Sequence, residues 1–445
     1  MENQNSSSSI NLIYGVDDKP KPLSQILLGF QHIFAAFGGI IVVPIIIANA
    51  LNLDSTTTTA LISAALLAAG VSTIIQSMGV GSVGARVARI MGTDITFVAP
   101  AIVVGQKYGL PGIFLATILG AILVILISFG IKYIMKLFPD LVTGIVVCLI
   151  GLTLLPVSID WAAGGSGASD YGSIRNITIA LIITAVTLLL NHYGTKILSS
   201  ASILIGMVAG YILCIVIGIV DFSPVSNAAF ITLPNVFGSA FSFSPSTIIH
   251  IVPSVLLPFI PAYLVSIIST VGNLRAINNI SGIKDDDTRI AHGVLSDGVG
   301  SLIAGILGAM PNTSFSQNVG LIPLTKVASR YVTMAAGIIL VILGFFPKFS
   351  AIISSMPQVV LGGVGIVMFG TVAAAGIQTL TKVEINNRNI LIIATSIGLG
   401  LGVTFRPEIL ANLPESLKMI FSSGISTGTI TALVLNVVLK DRKDK

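Results

Sequence analysis

PNTSFSQNVGLIPLTKVASR, residues Pro311 to Arg330, opens with mostly small and polar residues yet lies inside one of the most apolar parts of the chain. Lipid offers no hydrogen-bond partners, so a polar backbone stretch at membrane depth has to be enclosed by protein. The surroundings are membrane-like. The chain has 445 residues, 54% hydrophobic and 9% charged, with a mean hydropathy of +0.98, whereas a soluble chain carries about 25% charged residues. Apolar stretches of roughly 20 residues number fourteen, near 26–49, 58–80, 87–104, 111–131, 141–158, 175–194, 200–220, 248–274, 290–309, 313–327, 330–347, 356–378, 388–405 and 424–440. The third and the tenth are short and interrupted.

Basic residues collect in cytoplasmic loops. With both termini inside, 17 of the 23 Lys and Arg fall on the cytoplasmic side and five outside, with Arg275 within a span. That bias supports an even number of crossings and makes the net charge of +5 a matter of topology, not a nucleic-acid footprint. Residues 1–24 lack a cleavable apolar signal and are expected to form a disordered cytoplasmic tail.

The short segments hold corresponding places, third in the first seven and third in the second seven. Such a pair is the sequence mark of an inverted repeat, in which two broken helices meet near the midplane and their freed backbone groups and helix N-termini build a substrate site. MGTDITFVAP (Met91 to Pro100) and PNTSFSQNVG (Pro311 to Gly320) are then the facing halves. The expected architecture is an all-α polytopic membrane protein of fourteen transmembrane segments, a 7+7 inverted repeat with short extended pieces in segments 3 and 10.

Other motifs carry no chemistry. GVGSVG at Gly79 to Gly84 lacks the strand-turn-helix setting of a dinucleotide site, and its glycines suit a tightly packed loop into the third span. GGSGAS at Gly164 to Ser169 is a loop with no base beside it. Asp285 to Asp287 reads as a solvated cytoplasmic loop. Cys148 and Cys214 lie in apolar runs without ligand spacing and read as packing residues, and the four scattered histidines give no metal cluster. No cofactor is expected.

QNVGLIPLTK, Gln317 to Lys326, resembles the signature of the nucleobase/ascorbate transporter family: Gln, Glu or Pro, then Asn-x-Gly, four residues, Thr, and a basic residue or Gly. GFQH with Gln31 and His32, WAAGG from Trp161, LSDGVGSLIAG with Asp297, and PQVVLGGVGIVMFG from Pro357 to Gly370 extend the resemblance over essentially all fourteen segments. Gln before the Asn resembles the purine (xanthine or urate) branch. The resemblance implies a core domain of residues 25–140 and 247–347 (segments 1–4 and 8–11), and a gate domain of residues 141–222 and 348–440 (segments 5–7 and 12–14). It further implies import of a nucleobase across the cytoplasmic membrane, driven by a coupling proton, with the core moving against the gate and the substrate held between segments 3 and 10. The gate could also form a homodimer. A uracil permease, an anion carrier or channel of the same fold, and a membrane-embedded enzyme are the rivals. The last lacks a nucleophile–base pair.

A carboxamide presents one donor and one acceptor to the alternating edge of a dioxopurine, so Gln317 can make a paired contact. Neighbours on an extended backbone point to opposite faces, which makes Asn318 the brace to the scaffold. The half-helix that follows aims its N-terminal N–H groups at the same place, next to Ser316. Gly320 would let backbones approach, and Phe315 would stack on a base or pack in the core. Where the family has a Glu in segment 8, this chain has Ser269. Ser266, Ser269, Thr270 and Asn273 recur on one helical stripe that should face the bundle interior. Asn273 stands where purine members often have Asp and is a candidate for coupling. Arg275 should snorkel to the interface. Asp94 departs from the family's Ser and Ile95 from its aromatic, and both are substrate-site candidates. An intramembrane carboxylate is a functional candidate by default, so Asp94 is expected to take over the acidic role vacated at Ser269. The other reading pairs Asp94 with Arg86 or Arg89 as a structural group. Asp297 matches a position associated with coupling. His32 is a further coupling candidate that reads better as a hydrogen-bonded packing residue.

Overall fold

The computed structural model describes residues 12–131, 139–195, 198–199, 201–232, 243–283, 286–414, 417–418, 421 and 423–439. The first helix, α1 (Pro22–Ala50), starts with proline at its first position, where the missing N–H costs nothing. α2 (Ser55–Met78) is capped by Asp54, whose carboxylate accepts from Thr57 N at 2.9 Å. A three-residue strand, β1 (Met91–Thr93), and a single 3-10 turn (Ile95–Phe97) lead into α3 (Val98–Ser128). α3 is broken at Gly109 (φ 65°, ψ −166°) just before Pro111, so the predicted third and fourth segments are its two parts. α4 (Asp140–Ala162), α5 (Ile174–Tyr193) and α6 (Ser202–Ile217) complete the first half.

The rest of the chain also places a three-residue strand after its first long helices. The predicted eighth segment is two helices, α7 (Pro245–Leu256) and α8 (Ile260–Ile280). The break falls at Pro258 and Pro261, which lack the N–H donors that a continuous helix would need there. α9 (Asp287–Leu307) ends on left-handed Gly308. It is followed by β2 (Asn312–Ser314), the ten-residue α10 (Ser316–Thr325), α11 (Arg330–Gly344), α12 (Pro347–Ser354), α13 (Gln358–Leu380), α14 (Asn387–Phe405) and α15 (Gly424–Val438).

Among the described residues nine helices are long and apolar enough to cross a membrane, or ten if α11 and α12, bent by 83°, form one span. α6, α7 and α15 are shorter apolar helices. Leu181, Val216, Leu391 and Val437 lie exposed on outward faces, as a lipid-facing rim requires.

The helices pack in two groups. α4 lies along α13, flanked by α5, α6, α14 and α15, while α2 lies along α11 and α9 along α3. Contacts in one half have counterparts in the other: α1 meets α6 as α8 meets α15, and α5 meets α6 as α14 meets α15. The longest contact, α4 with α13, is close enough that a methyl group on Gly151 would overlap the backbone of Ala373, and one on Gly376 the backbone of Cys148.

The N-terminal segment differs from expectation. Residues 12–20 are ordered against the α10–α11 connection, and only residues 1–11 of the predicted tail lie outside the described part. The cause is local. Lys326 ends α10 in a left-handed conformation (φ 59°), which leaves the following backbone without helical partners. Ile13 N donates to Lys326 O (2.7 Å), Ala328 N to Tyr14 O (2.9 Å) and Arg330 N to Val16 O (3.1 Å). Ser329 Oγ donates to Asp18 O at 2.6 Å, and Arg330 pairs with Asp17 at 2.8 Å.

Candidate functional site

The two interrupted segments meet as a two-stranded antiparallel sheet, with Met91 opposite Ser314, Gly92 opposite Thr313 and Thr93 opposite Asn312. Phe315 N extends the ladder by donating to Ile90 O at 3.0 Å. Alternate residues of an antiparallel ladder turn their N–H and C=O outward, and at this depth each outward group needs a protein partner. One hydroxyl supplies both partners on each side. Thr73 Oγ1 of α2 accepts from Met91 N (2.9 Å) and donates to Met91 O (3.4 Å). Ser301 Oγ of α9 accepts from Asn312 N (3.1 Å) and donates to Asn312 O (2.9 Å). The helix that precedes each strand thus serves that strand's terminal polar groups, α2 at Met91 and α9 at Asn312. Thr93 Oγ1 ties β1 to α1 by donating to Ile40 O at 2.6 Å.

Asp94 follows β1 and caps the turn that starts the half-helix of α3. Its Oδ1 accepts from Thr96 N (2.8 Å) and Thr96 Oγ1 (2.7 Å), and its Oδ2 from Thr313 Oγ1 of β2 (2.6 Å). These bonds stand where the alternative reading put an ion pair: neither Arg86 nor Arg89 is bonded to it. Arg86 reaches Gly81 O at 3.4 Å instead. A carboxylate is stabilised at a helix N-terminus, and Asp94 is also half-buried. It therefore sits at the junction of the two breaks with part of its surface open. Ile95 is half-buried beside it.

On the other side, Asn318 is fully buried. Its Nδ2 donates to His32 O at 2.8 Å and meets His32 Nδ1 at 3.1 Å. The amide can approach Nδ1 only if that nitrogen carries no proton, so the pair holds α10 on α1 and fixes the tautomer of a buried histidine. Phe315 is half-buried, with its ring over Gly39 of α1 and Gly92 of β1. A Cβ on Gly92 would stand 2.7 Å from the ring, and one on Gly39 would overlap it. The backbones of Ser316 and Gln317 form the first turn of α10, and their side chains lie outside the described part. Gly320 does not serve the expected close approach. It is exposed, and a Cβ there would meet nothing within 4 Å, because this face of the short α10 looks into open space.

α8 packs against β2, the 3-10 turn and α10. Its stripe therefore faces the break, with Ser266 and Thr270 buried and Ser269 and Asn273 half-buried. Arg275, further along, is exposed. Thr270 is the pivot, with Oγ1 3.1 Å from Ser314 Oγ and a hydrogen bond donated to Asp297 Oδ2. Asp297, on α9, is 3% exposed, so it touches the strand pair through Thr270 rather than facing the opening. Among the described residues no His, Cys, Asp and Glu cluster could hold a metal ion. Sequence reasoning missed Thr73, Ser301 and Thr313. Only Thr96 carried a local signal, as a hydroxyl two residues after an aspartate in the pattern of a side-chain turn.

A model of the Permease family, Xan_ur_permease, matches residues 23–409. A protein of Clostridium perfringens whose name assigns it provisionally to the purine permeases is 60% identical over 442 residues, 99% of this chain and 96% of that protein. The xanthine permease of Bacillus subtilis is 36% identical over 414 residues, 92% of each chain. The uric acid transporter UacT of Escherichia coli is 37% identical over 429 residues, 95% of this chain and 87% of that one. Among solved structures, the transmembrane domain of the cyanobacterial bicarbonate transporter BicA superposes with a TM-score of 0.59 at 12% identity, covering 95% of this chain and 99% of that one. Murine Slc26a9 in its inward-facing state gives 0.62 at 10% identity, over 95% and 69%. At such identities the likeness concerns the fold alone.

Proposed function

The chain belongs to the Permease family, the nucleobase/ascorbate transporters, and on that premise we propose that it imports a nucleobase, in first place a purine such as xanthine or urate. It is a multi-pass membrane transporter and not an enzyme. The route proposed is proton symport across the cytoplasmic membrane, both termini inside, through fourteen segments arranged as a 7+7 inverted repeat. The observation that carries the reading is the junction of β1 and β2, where two half-helices begin and a half-buried Asp94 is bound to Thr313 of the opposite strand.

The paired use of Thr73 and Ser301, and the matching contacts of the two halves, support the repeat. The two packing groups support a core of segments 1–4 and 8–11 that moves against a gate of segments 5–7 and 12–14. Substrate then sits at the junction, with Gln317 reading the edge of the base, Ser316 and the α10 N–H groups beside it, Phe315 and Ile95 against the ring, and Ser269 and Gly320 at the margin. Asn318 and His32 brace the site. Asp94 and Asp297 are the acids proposed for coupling, with Asn273 beside them. A homodimer would form through the gate.

Relatives named for xanthine and uric acid favour a purine over uracil. Radiolabelled xanthine uptake into cells lacking purine permeases, with unlabelled bases as competitors and a protonophore as control, tests the reading. Saturable, protonophore-sensitive uptake that Gln317→Ala abolishes is expected. No uptake of any base by well-expressed protein would refute it.

A further inference from the structure

The eight-residue α12 joins α11 to α13 and stands at 83° to α11. It links the part proposed as core to the part proposed as gate, so the chain bends on whichever side of α12 is not fastened. Two hydroxyl pairs fasten it to α2. Thr59 Oγ1 lies 2.9 Å from Ser354 Oγ, and Ser63 Oγ donates to Ser350 Oγ at 2.8 Å. On each helix the two residues are one turn apart and share a face, and Thr59, Ser63 and Ser350 are buried. Drawing α12 away from α2 would strip buried hydroxyls of their partners, which is unfavourable. The corner before α12 is equally close, since a Cβ on Gly344, the last residue of α11, would stand 2.8 Å from Leu67 N of α2. Phe349 of α12 sets its ring 5.8 Å from that of Phe37 of α1. The segment that leads from α6 towards α7 is laced to the same place. Its short helix, Ser223–Asn227, packs on α12, Lys348 Nζ donates to Val225 O at 3.5 Å, and Thr232 N donates to Phe345 O at 3.4 Å. Beyond α12 the attachment changes. Tyr211 OH of α6 meets Ser355 Oγ at 2.6 Å, and Pro357 caps the start of α13. Proline lacks an N–H and disfavours helix in the residue before it, so no helix runs through Met356 from α12 into α13.

We propose that α12 travels with the core, fastened there by the Thr59–Ser354 and Ser63–Ser350 pairs, and that the chain turns between core and gate at Ser355–Pro357. The proposal rests on the core-against-gate reading above. It places the boundary after α12, whereas the sequence puts it before, at residues 347–348. A hinge of a few residues absorbs the change in backbone angles, and the hydroxyl pairs keep that change from spreading into α12. The crossings from α6 to α7 and from α11 to α13 then share one support on α2.

The test closes disulfides on either side of the proposed boundary. Uptake is measured in T59C/S354C, S63C/S350C and G38C/I203C, each reduced, oxidised and reduced again, against the parent chain with Cys148 and Cys214 treated alike. The third pair links α1 to α6 across the boundary, where a Cβ on Gly38 would stand 3.8 Å from that of Ile203, within disulfide reach. The closed α2–α12 links should keep uptake within about twofold of the reduced form, whereas closed G38C/I203C should lose it by at least about tenfold until reduced. Uptake retained with either α2–α12 link closed upholds the proposal, because one link would stop a helix that had to move. Uptake lost with both closed overturns it, as does failure of both to close under conditions that close the third. Uptake retained in closed G38C/I203C refutes the core-against-gate reading, and this proposal with it. A second measurement needs no substrate. In purified T59A/S63A, deuterium uptake of residues 347–354 should quicken by at least about fivefold, with residues 358–370 unchanged. Unchanged exchange in α12, or a rise that runs on through α13, overturns the proposal.

Discussion

Replacing Ser301 by Ala deletes one oxygen and two hydrogen bonds, those to the N–H (3.1 Å) and the carbonyl (2.9 Å) of Asn312. Asn312 is fully buried, and both groups face away from the β1–β2 ladder, so neither finds a second partner within the sheet. A buried backbone group left unpaired costs about 1–3 kcal/mol, which puts the substitution at about 2–6 kcal/mol. Even the lower figure, about 2 kcal/mol, multiplies the population of the locally opened form by roughly 30. Hydrogen–deuterium exchange of residues 311–316 in purified protein reads that population directly. S301A should exchange there at least about 30-fold faster, with the gate helices unchanged. Exchange within about threefold of native would refute the reasoning. Thr73→Val is the matching perturbation at β1. Its effect on residues 90–93 should be smaller, because one of the two bonds it removes spans 3.4 Å.

Gly376→Ala drives a methyl group into the backbone of Cys148, where no side chain can swing away. Overpacking of about 1–3 kcal/mol should appear as a lower melting temperature, and a native melting curve would contradict the α4–α13 contact. Gly39→Ala displaces the ring of Phe315, so uptake should fall with the helices intact by circular dichroism, whereas unchanged uptake would mean that the ring position is immaterial. Asp54→Ala removes the cap of α2 at a cost of about 1 kcal/mol. Hydrogen bonds from Thr57 hold the Asp54 carboxyl below the usual carboxylate range. The cap's stability is therefore present above the unfolded-state value and lost as pH falls through the lower folded-state value. Asp54→Asn, which caps without ionising, should show no such loss in a melting-temperature series against pH.

The broken tenth segment was visible in the sequence because every residue from Asn312 to Asn318 except Phe315 is polar. Its partner in the third segment was visible from its corresponding place in the repeat. The extended pieces were legible in both segments, but the pairing that joins them was not, because it spans much of the chain and leaves no local pattern. The acid at Asp94 announced itself, but its partners did not: Thr313 lies on the far strand, and two arginines nearby in sequence offered a more obvious match than Thr96. Gly320 was judged by its motif, and its open surroundings are a property of the short α10 that no local pattern encodes. Residues 12–20 read as part of a disordered tail because the N-terminal stretch as a whole is polar. Their order comes from backbone groups near Lys326, a neighbour that only the fold supplies.

The pairing of β1 with β2 also governs how the protein can be made. β1 is complete about 220 residues before β2 exists, roughly 10–40 s at about 5–20 residues per second. Through that interval its ladder edge has no partner. Thr73, synthesised just ahead of it on α2, covers both polar groups of Met91, but the edge that awaits Thr313 stays open. A chain that stops before residue 312 lacks the strand with which β1 pairs. The two halves are therefore not independent modules to be inserted and later docked. Each holds half of a sheet, and assembly is complete only when the second strand closes on the first.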